Sequence, residues 1–398
     1  MQANGKRVGE QSLFRNILAL GLVSFFTDMS SEMVFSLLPT FILELPGSSI
    51  MVLGIIEGIA ENLSYSLRVL SGLISDKIRR RKLIVLIGYA FSNFIKPLFA
   101  IAQSAIDALA IRVSDRIGKA IRTAPRDALL SDSVSERHRG IAFGIHRTLD
   151  QSGAIIGPLL ASVLLLFFGF STRMVFWFSF VPGFAALLIL IFLVQERAGG
   201  VVQGFRALSN LREILRGNFL ILLVIVGVFS LGAFNFSFIL LNARESGITD
   251  ELLPIIYLTI NLTHTLIAVP AGLLSDKVGR EKILVSGYGI FLITCLLILS
   301  LPKTYLYAFI VAATFGLYAG IIETVQRALI PKYAERRDLR GTAYGLYYLV
   351  IGSAFLVANI AVGLLWQQSG SSTAMTYSII MATTAILSMV GFIIRRLK

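Results

Sequence analysis

Two carboxylate residues lie four positions apart in an apolar stretch near the start of the sequence. Asp28 and Glu32 would share one face of a helix, because residues four apart are neighbours on a helical surface. Ionisable groups within apolar helices are costly and are functional candidates by default. A carboxyl group can bind and release a proton when its burial alternates. We therefore predict that Asp28 or Glu32 carries a proton, and the other acidic candidates for this role are Glu57, Glu61 and Asp150.

Basic residues interrupt a second apolar stretch, residues 107–131. At about 100° per residue, five of them fall within a wedge of roughly 120° on one helix. Such a stripe cannot face lipid, so we expect it to line a watery cavity or to contact acids on neighbouring helices. A cationic stripe at a cavity attracts anions, and Arg112 or Arg116 would also modulate the proton-binding carboxyl group. The alternative is that these charges only pair with one another. The stripe consists of Arg112, Arg116, Lys119, Arg122 and Arg126.

Polar residues are sparser in the second half of the chain. Glu323 and Arg327 are four apart and are expected to pair. His264 stands alone and is expected to be a packed polar residue, whereas His146 is flanked by charges and is a cavity candidate. The remaining candidates for lining a cavity are Asn235, Tyr257, Asn261, Tyr318, Glu323 and Tyr347.

Three histidines, none in a metal-like pair, and one cysteine argue against an enzyme. Cys295 lies in an apolar run, so neither a metal site nor a catalytic thiol is predicted, and no cofactor is expected.

The apolar residues around these charges form long runs, and 56% of the chain is hydrophobic. Runs such as 83–102 and 219–241 reach the roughly 18 residues that mark a membrane span. Only helices or closed barrels satisfy their backbone groups in lipid, and uniformly apolar runs of this length are typical of helices. We predict an all-α membrane protein with twelve transmembrane helices, at 14–44, 51–75, 83–104, 107–131, 140–169, 173–195, 217–242, 251–275, 283–301, 304–330, 341–367 and 373–394.

The basic residues outside these spans indicate the topology. Most of them fall in loops on the side that holds both termini, and the opposite loops hold only Arg173, Arg244 and Lys303. Since cytoplasmic loops carry the excess of Lys and Arg, both termini are predicted to be cytoplasmic. This asymmetry accounts for most of the net charge of +13 without a nucleic-acid partner. Residues 196–216 suit a short amphipathic helix on the inner leaflet.

An internal repeat with a period near 200 divides the chain. Residues 72–82 match residues 272–282, with Asp76 opposite Asp276, and residues 139–144 match residues 340–345. Parallel six-helix repeats are a transporter architecture with the substrate site at the midplane. We therefore predict two pseudo-symmetric six-helix bundles, 1–195 and 217–398, joined by a linker at 196–216.

The repeated segment resembles the signature loop of the major facilitator superfamily, and this resemblance extends over essentially the whole chain. It implies that fold and a transport function. Arg79 departs from the motif, which has glycine there. Residues 153–158 resemble the antiporter-type motif of the superfamily without its trailing glycines, and 115–127 resemble a bacterial branch of permeases with unassigned substrate. The repeated acids would accept hydrogen bonds from a neighbouring helix start and latch one conformation, whereas the alternative is an ordinary positive-inside loop. The latch residues are Gly72, Asp76, Lys77, Arg80, Gly272, Asp276, Lys277 and Arg280.

These observations predict a proton-coupled secondary transporter in the bacterial inner membrane. It would act as a monomer by alternating access on a small organic solute. The cationic stripe favours an anionic solute, such as a carboxylate metabolite or a carboxylate-type siderophore. The alternative is a multidrug efflux antiporter, because Asp28 and Glu32 would also suit organic cations. A membrane enzyme or lipid scramblase, a sensor without flux and a channel are less well supported by the sequence.

Overall fold

The computed structural model describes residues 2–78, 81–134, 139–196, 215–300, 302–334 and 340–397. Side chains are described for residues 15–67, 81–134, 141–196, 215–300, 302–334 and 342–395. These residues form helices and short connections and contain no strand. Most of the predicted amphipathic linker, 197–214, lies outside them.

The first half of the chain forms eight α-helices and one short 3-10 helix among the described residues. The predicted first span is two helices, with a break at 36–37 just before Pro39, and the third span ends in the 3-10 helix, which contains Pro97. The helices are α1 (Gln2–Phe35), α2 (Leu38–Glu44), α3 (Ile50–Ile78), α4 (Arg81–Ile95), the 3-10 helix (Lys96–Ile101), α5 (Ala105–Asp132), α6 (Arg139–Phe168), α7 (Thr172–Phe178) and α8 (Phe180–Leu193).

The second half repeats this pattern. The first span of this half is also broken, at 233–235. This break lies about 200 residues after the one at 36–37, as the internal repeat predicts. The helices are α9 (Gly217–Gly232), α10 (Phe236–Glu245), α11 (Leu253–Val278), α12 (Arg280–Ser300), α13 (Tyr305–Tyr333) and α14 (Arg340–Leu397).

Ten ranges of the described residues are long and apolar enough to cross a membrane. The last, Thr342–Arg395, has 54 residues and would be about 80 Å long as one helix, far more than the roughly 30 Å of a hydrocarbon core. Gly370 interrupts it with φ 83°, so this range suits two crossings. Helix α5 is absent from the ten because it carries too many charges. Counting the last range as two crossings and adding α5 would turn the ten ranges into twelve spans. The count of twelve stays a prediction.

The chain divides into two compact units. One comprises the described parts of Met1–Leu38 and Leu67–Gly204, and the other those of Pro39–Ser66 and Phe205–Lys398. The division at 195 and 217 therefore stays a prediction, since 39–66 groups with the second half. Within that second unit, Gly54 of α3 lies directly against the backbone of Asn359 on α14.

Within the first unit, α1 packs along α6 and α8, and α4 packs along α5. Glycines permit the close approaches: a side chain at Gly153 would meet the backbone of Phe25, and one at Gly88 would meet the backbone of α5. Small residues at helix contacts are the usual means of packing helices in lipid. Residues 153–157, which resemble the antiporter-type motif, thus bring α6 against α1.

Candidate functional site

Helix α5 carries the basic stripe, and its start is fixed by a capping box. The backbone N–H of Asp107 donates to Ser104 Oγ at 3.2 Å, and the N–H of Ser104 donates to Asp107 Oδ2 at 2.9 Å. Both interactions satisfy N–H groups that a helix start leaves open. The capping box therefore defines where α5 begins, two and three turns before Arg112 and Arg116.

The basic stripe faces protein. Arg112 is fully buried, Arg116 and Arg122 are nearly so, and Lys119 is half-buried. The guanidinium of Arg112 lies 4.0 Å from the ring centroid of Phe35 on α1, and that of Arg122 lies 4.4 Å from the centroid of Tyr89 on α4. Stacking on a ring occupies the face of a guanidinium, and its N–H groups point outward in its own plane.

Asp115 lies on α5 among these cations and was not among the predicted site residues. Its carboxylate accepts a hydrogen bond from Ser92 Oγ at 2.5 Å and is electrostatically coupled to Arg112, Arg116 and Lys96. Asp115 therefore compensates part of the stripe, as the alternative of mutual charge pairing anticipated.

Lys96 is a second residue that the predicted set omitted. It is fully buried at the start of the 3-10 helix, and its ammonium donates to Ser31 Oγ at 2.7 Å and to the carbonyl of Thr27 at 3.4 Å. Both partners lie on α1, next to Asp28 and Glu32 in sequence. In the sequence, Lys96 is marked only by being a cation inside an apolar span. No other charged residue lies in that span, so helical spacing gave it no partner.

Asp28 and Asp150 are brought together from α1 and α6. Their carboxyl groups lie within hydrogen-bonding reach of each other. Since an ionised carboxylate can only accept, a hydrogen bond between the two groups requires a proton on one of them. Around the pair, Arg147 Nη1 lies 3.1 Å from Asp150 Oδ2, and Lys119 and Arg126 are electrostatically coupled to Asp28 and Asp150 respectively.

The other acidic candidates are placed differently. Glu32 is half-buried on α1 and interacts electrostatically with Asp28 and Lys96. Glu57 is buried on α3, and Glu61 is half-buried one turn further on. Both belong to the second compact unit, whereas Asp28 and Asp150 belong to the first.

His146 lies one turn before Asp150 on α6 and contacts α1. Its Nε2 lies 2.9 Å from Ser24 Oγ, which lies 3.0 Å from the hydroxyl of Tyr89. Arg126 Nη1 also donates to Ser24 Oγ, at 3.5 Å. These contacts link α6 to α1 and α4 through His146, Ser24 and Tyr89, and Arg126 of α5 joins them at Ser24.

The second-half candidates split between packed and open positions. Asn235 caps α10 by accepting from the N–H of Ser237 at 2.9 Å, and Tyr257, Tyr318 and Tyr347 are buried in the packed interior. Asn261 is half-buried on α11.

Glu323 is the most open of the second-half candidates. Glu323 and Arg327 form the predicted ion pair, which is confirmed. His264, expected to be a lone packed residue, instead reaches Glu323 Oε2 from α11, with its Nε2 at 2.9 Å. The three side chains form a polar triad that bridges α11 and α13.

The predicted latch is described only in its second copy. Arg280, the first residue of α12, donates from Nη2 to Asp276 at 3.0 Å and from Nη1 to the carbonyl of Ala328 on α13 at 2.7 Å. Gly279 between them has φ 109°, which favours glycine. In the first copy, Arg80 and the side chains of Asp76 and Lys77 lie outside the described residues, and only the helical backbone of Gly72 is described. The latch therefore stays a prediction.

Comparison with known proteins matches this chain to a family and to several relatives. A family model described as Major Facilitator Superfamily matches residues 20–262 and 220–397. An uncharacterised MFS-type transporter of Methanocaldococcus jannaschii is 33% identical over 389 residues, which cover 95% of each chain. The multidrug resistance protein MdtG of Yersinia enterocolitica is 27% identical over 290 residues, which cover 68% of each chain.

Among solved structures, a mutant form of the nucleoside transporter NupG superimposes with a TM-score of 0.78. The match covers 95% of this chain and 98% of that one, at 12% identity. A likeness at that identity shows the fold alone. It confirms the predicted all-α membrane architecture.

Proposed function

Because this chain belongs to the major facilitator superfamily of membrane transporters, we propose that it is a proton-coupled secondary transporter that moves a small organic anion by alternating access. It would work as a monomer in the bacterial plasma membrane, with both termini in the cytoplasm. It would need no cofactor and would catalyse no covalent chemistry. The observation that carries the proposal is the carboxyl pair of Asp28 and Asp150 beside the buried cations of α5.

The carboxyl pair supports proton coupling. A proton shared by Asp28 and Asp150 holds the two groups together, and its loss would leave two like charges at close range. Arg147 and Arg126 beside Asp150 would then compensate the second charge. Loading and release of this proton therefore changes the electrostatics of the α1–α6 contact. A change of that kind is what a proton-driven conformational step requires.

The stripe on α5 supports an anionic solute. Carboxylates are recognised by guanidinium groups through paired, charge-assisted hydrogen bonds. Arg122 offers such a donor: its Nη1 is buried and has no hydrogen-bond partner among the described residues. The face of its guanidinium is meanwhile occupied by Tyr89, which fixes the plane in which that donor points.

Transport by the purified chain in proteoliposomes tests the proposal. An inward proton gradient would be imposed, and uptake of labelled citrate, succinate and benzoate would be compared with that of labelled tetraphenylphosphonium. We expect at least one organic anion to accumulate beyond its level in protein-free liposomes, which trap weak acids without a carrier, and a protonophore should abolish this excess. Accumulation of the cation alone, or anion uptake that does not respond to the gradient, would refute proton-coupled anion transport.

The second candidate is multidrug efflux, and the relative named a multidrug resistance protein favours it. A proton-driven exporter of organic cations would use Asp28 or Glu32 to bind the cation in place of the proton. In the same proteoliposomes, this function predicts gradient-driven movement of tetraphenylphosphonium and proton release on its binding.

A further inference from the structure

Two polar contacts between α1 and α6 follow one another by one helical turn. Ser24 Oγ lies 2.9 Å from His146 Nε2, and four residues further along each helix Asp28 meets Asp150. Residues four apart lie on the same face of a helix, about 6 Å apart along its axis. The two contacts are therefore consecutive rungs between the same two helices. We call the contact of Ser24 with His146 the hydroxyl rung and that of Asp28 with Asp150 the carboxyl rung.

The backbones of α1 and α6 approach closely beside these rungs. A side chain at Gly153 would meet the backbone of Phe25, and one at Gly157 would meet that of Met29. These contacts also advance by four residues on both helices, so α1 and α6 run side by side in the same direction at this level. The hydroxyl rung and the carboxyl rung thus belong to one close helix contact.

Tyr89 on α4 contacts the hydroxyl rung with its oxygen and the basic stripe with its ring. The residue is fully buried, and its hydroxyl lies 3.0 Å from Ser24 Oγ. The guanidinium of Arg122 lies 4.4 Å from the centroid of its ring. A side chain at Gly88 would strike the backbone of Arg122, so α4 and α5 are in close contact where the ring and the guanidinium meet. Tyr89 thus lies between the donor proposed for the solute and the hydroxyl rung.

The hydroxyl of Ser24 allows two directions of hydrogen bonding. It has one proton to donate, and Arg126 Nη1 donates to it at 3.5 Å in either case. In the first direction, Tyr89 donates to Ser24 and Ser24 donates to His146 Nε2. In the second, His146 Nε2 donates to Ser24 and Ser24 donates to Tyr89. The second direction needs a proton on Nε2, and it is the only one open to a doubly protonated imidazole. The chain from Tyr89 to His146 is therefore a two-state element.

An anion bound to Arg122 favours the second direction. A guanidinium over a phenol ring stabilises negative charge on the phenol oxygen, which makes the hydroxyl a stronger donor. A bound anion cancels part of that field, so the hydroxyl of Tyr89 donates less readily and accepts more readily. The arrangement with a proton on His146 Nε2 is then preferred. Solute and proton would therefore promote each other's binding.

We propose that Tyr89 is the positioning residue that couples solute binding at Arg122 to the proton held between α1 and α6. This inference rests on the proposed transport function and assigns the coupling within it to one residue. Tyr89 acts on the solute through Arg122 and on the proton through Ser24. Charged groups nearby also interact with a bound anion through space, so loss of the Tyr89 hydroxyl weakens the coupling without abolishing it. The charged groups that interact with His146 or Asp28 are Arg126, Asp127, Arg147, Asp150, Lys119 and Glu32.

Anion binding at two pH values tests the coupling. The purified full-length chain is titrated with benzoate, citrate and succinate in thermal-shift measurements at about pH 6 and pH 8, and the stabilisation gives each Kd. Variants are compared with the same anion, so ionisation of the anion itself cancels. We expect at least one anion to bind the unaltered protein about tenfold tighter at the lower pH. In Tyr89→Phe this ratio should fall to about threefold or less, with the Kd at the higher pH nearly unchanged.

The variants isolate the hydroxyl of Tyr89. Tyr89→Phe keeps the ring against Arg122 and removes only the oxygen that reaches Ser24. Ser24→Ala breaks the same chain from its other side and should lower the ratio in the same way, which also covers a Tyr89→Phe protein that does not fold. Tyr307→Phe is the matched control. It removes a buried hydroxyl that accepts from Asn242 Nδ2 at 2.9 Å on other helices, and it should leave the ratio unaltered.

The outcomes separate this inference from the transport function on which it rests. If Tyr89→Phe or Ser24→Ala keeps the ratio of the unaltered protein, Tyr89 does not carry the coupling, and proton-coupled transport still stands. Binding that weakens by the same factor at both pH values shows a role in affinity alone and also overturns the coupling. If the unaltered protein binds none of the three anions, or binds them equally at both pH values, proton-coupled anion transport fails and this inference fails with it.

Discussion

Asp28 on α1 and Asp150 on α6 are separated by more than 120 residues in sequence, yet their carboxyl groups lie within hydrogen-bonding reach. Asp28→Asn replaces one group with an amide that donates to Asp150 permanently, which mimics the protonated pair. We expect gradient-driven uptake to fall at least about tenfold, whereas exchange of labelled for unlabelled solute, which needs no net proton movement, should persist. Uptake and exchange are measured in the same proteoliposomes.

The control for this variant is Glu196→Gln, a carboxyl-to-amide change at an exposed residue after α8. It should leave both uptake and exchange at the level of the unaltered protein. If Asp28→Asn still accumulates solute against a gradient with the same pH profile, the carboxyl pair does not carry the coupling proton.

Arg122 should contribute to anion binding through charge and through geometry. Arg122→Gln removes the cation over Tyr89, and we expect the Kd for an organic anion to rise about tenfold or more, as for loss of one charge-assisted hydrogen bond. Arg122→Lys keeps the charge but loses the planar donors, so an intermediate Kd is expected. Kd is measured by titrated thermal shift. Equal affinity in all three proteins would place the solute elsewhere.

The sequence predicted the spans well because apolar runs of about 20 residues have one solution in lipid. It did not locate the breaks inside spans. The structure shows the cause of each break. Pro39 cannot donate a backbone hydrogen bond within a continuous helix, and Asn235 caps the helix that begins at Phe236.

The site was predictable only within single helices. Helical spacing predicted the stripe on α5 and the pairing of Glu323 with Arg327. Spacing carries no information about partners on other helices. It therefore favoured Glu32 as the neighbour of Asp28. It did not predict that Asp150 is the partner of Asp28 or that His264 contacts Glu323.

The contact of α1 with α6 depends on Gly153. An added side chain there would strike the backbone of Phe25, which cannot rotate away, so Gly153→Ala should force the helices apart. We expect a loss of about 1–3 kcal/mol in the free energy of unfolding, typical of an overpacked contact. The melting temperature of the purified protein reports the change.

Gly144 provides the matched control on the same helix. It is exposed, and a side chain there meets nothing within 4 Å. Gly144→Ala should be neutral or stabilise by up to about 1 kcal/mol, because alanine is the better helix former. A Gly153→Ala variant as stable as Gly144→Ala would contradict the close approach of α1 and α6.

Outside the spans, Arg244 at the end of α10 is held between two acids. Its Nη2 donates to Glu44 at 2.7 Å and its Nε lies 3.1 Å from Asp250. Burial raises the pKa of Asp250 above its ordinary value of 3.8, Arg244 opposes this rise and Glu44 adds to it. The folded protein therefore holds this proton more tightly than the unfolded chain does. Its contribution to stability is present below about pH 4 and is lost as pH rises through the raised pKa.

Asp250→Asn should remove that pH dependence while the amide oxygen still accepts from Arg244. The melting temperature of the unaltered protein minus that of Asp250→Asn is expected to fall as pH rises from about 4 and then to level off. Glu44→Gln removes a negative charge next to Asp250, and Arg244 then interacts with Asp250 as its one remaining acidic partner in this contact. The pKa of Asp250 should therefore decrease, and the difference in melting temperature should change less with pH. A difference in melting temperature that is constant from pH 4 to 8, or that grows with pH, would show that burial does not favour the protonated form of Asp250.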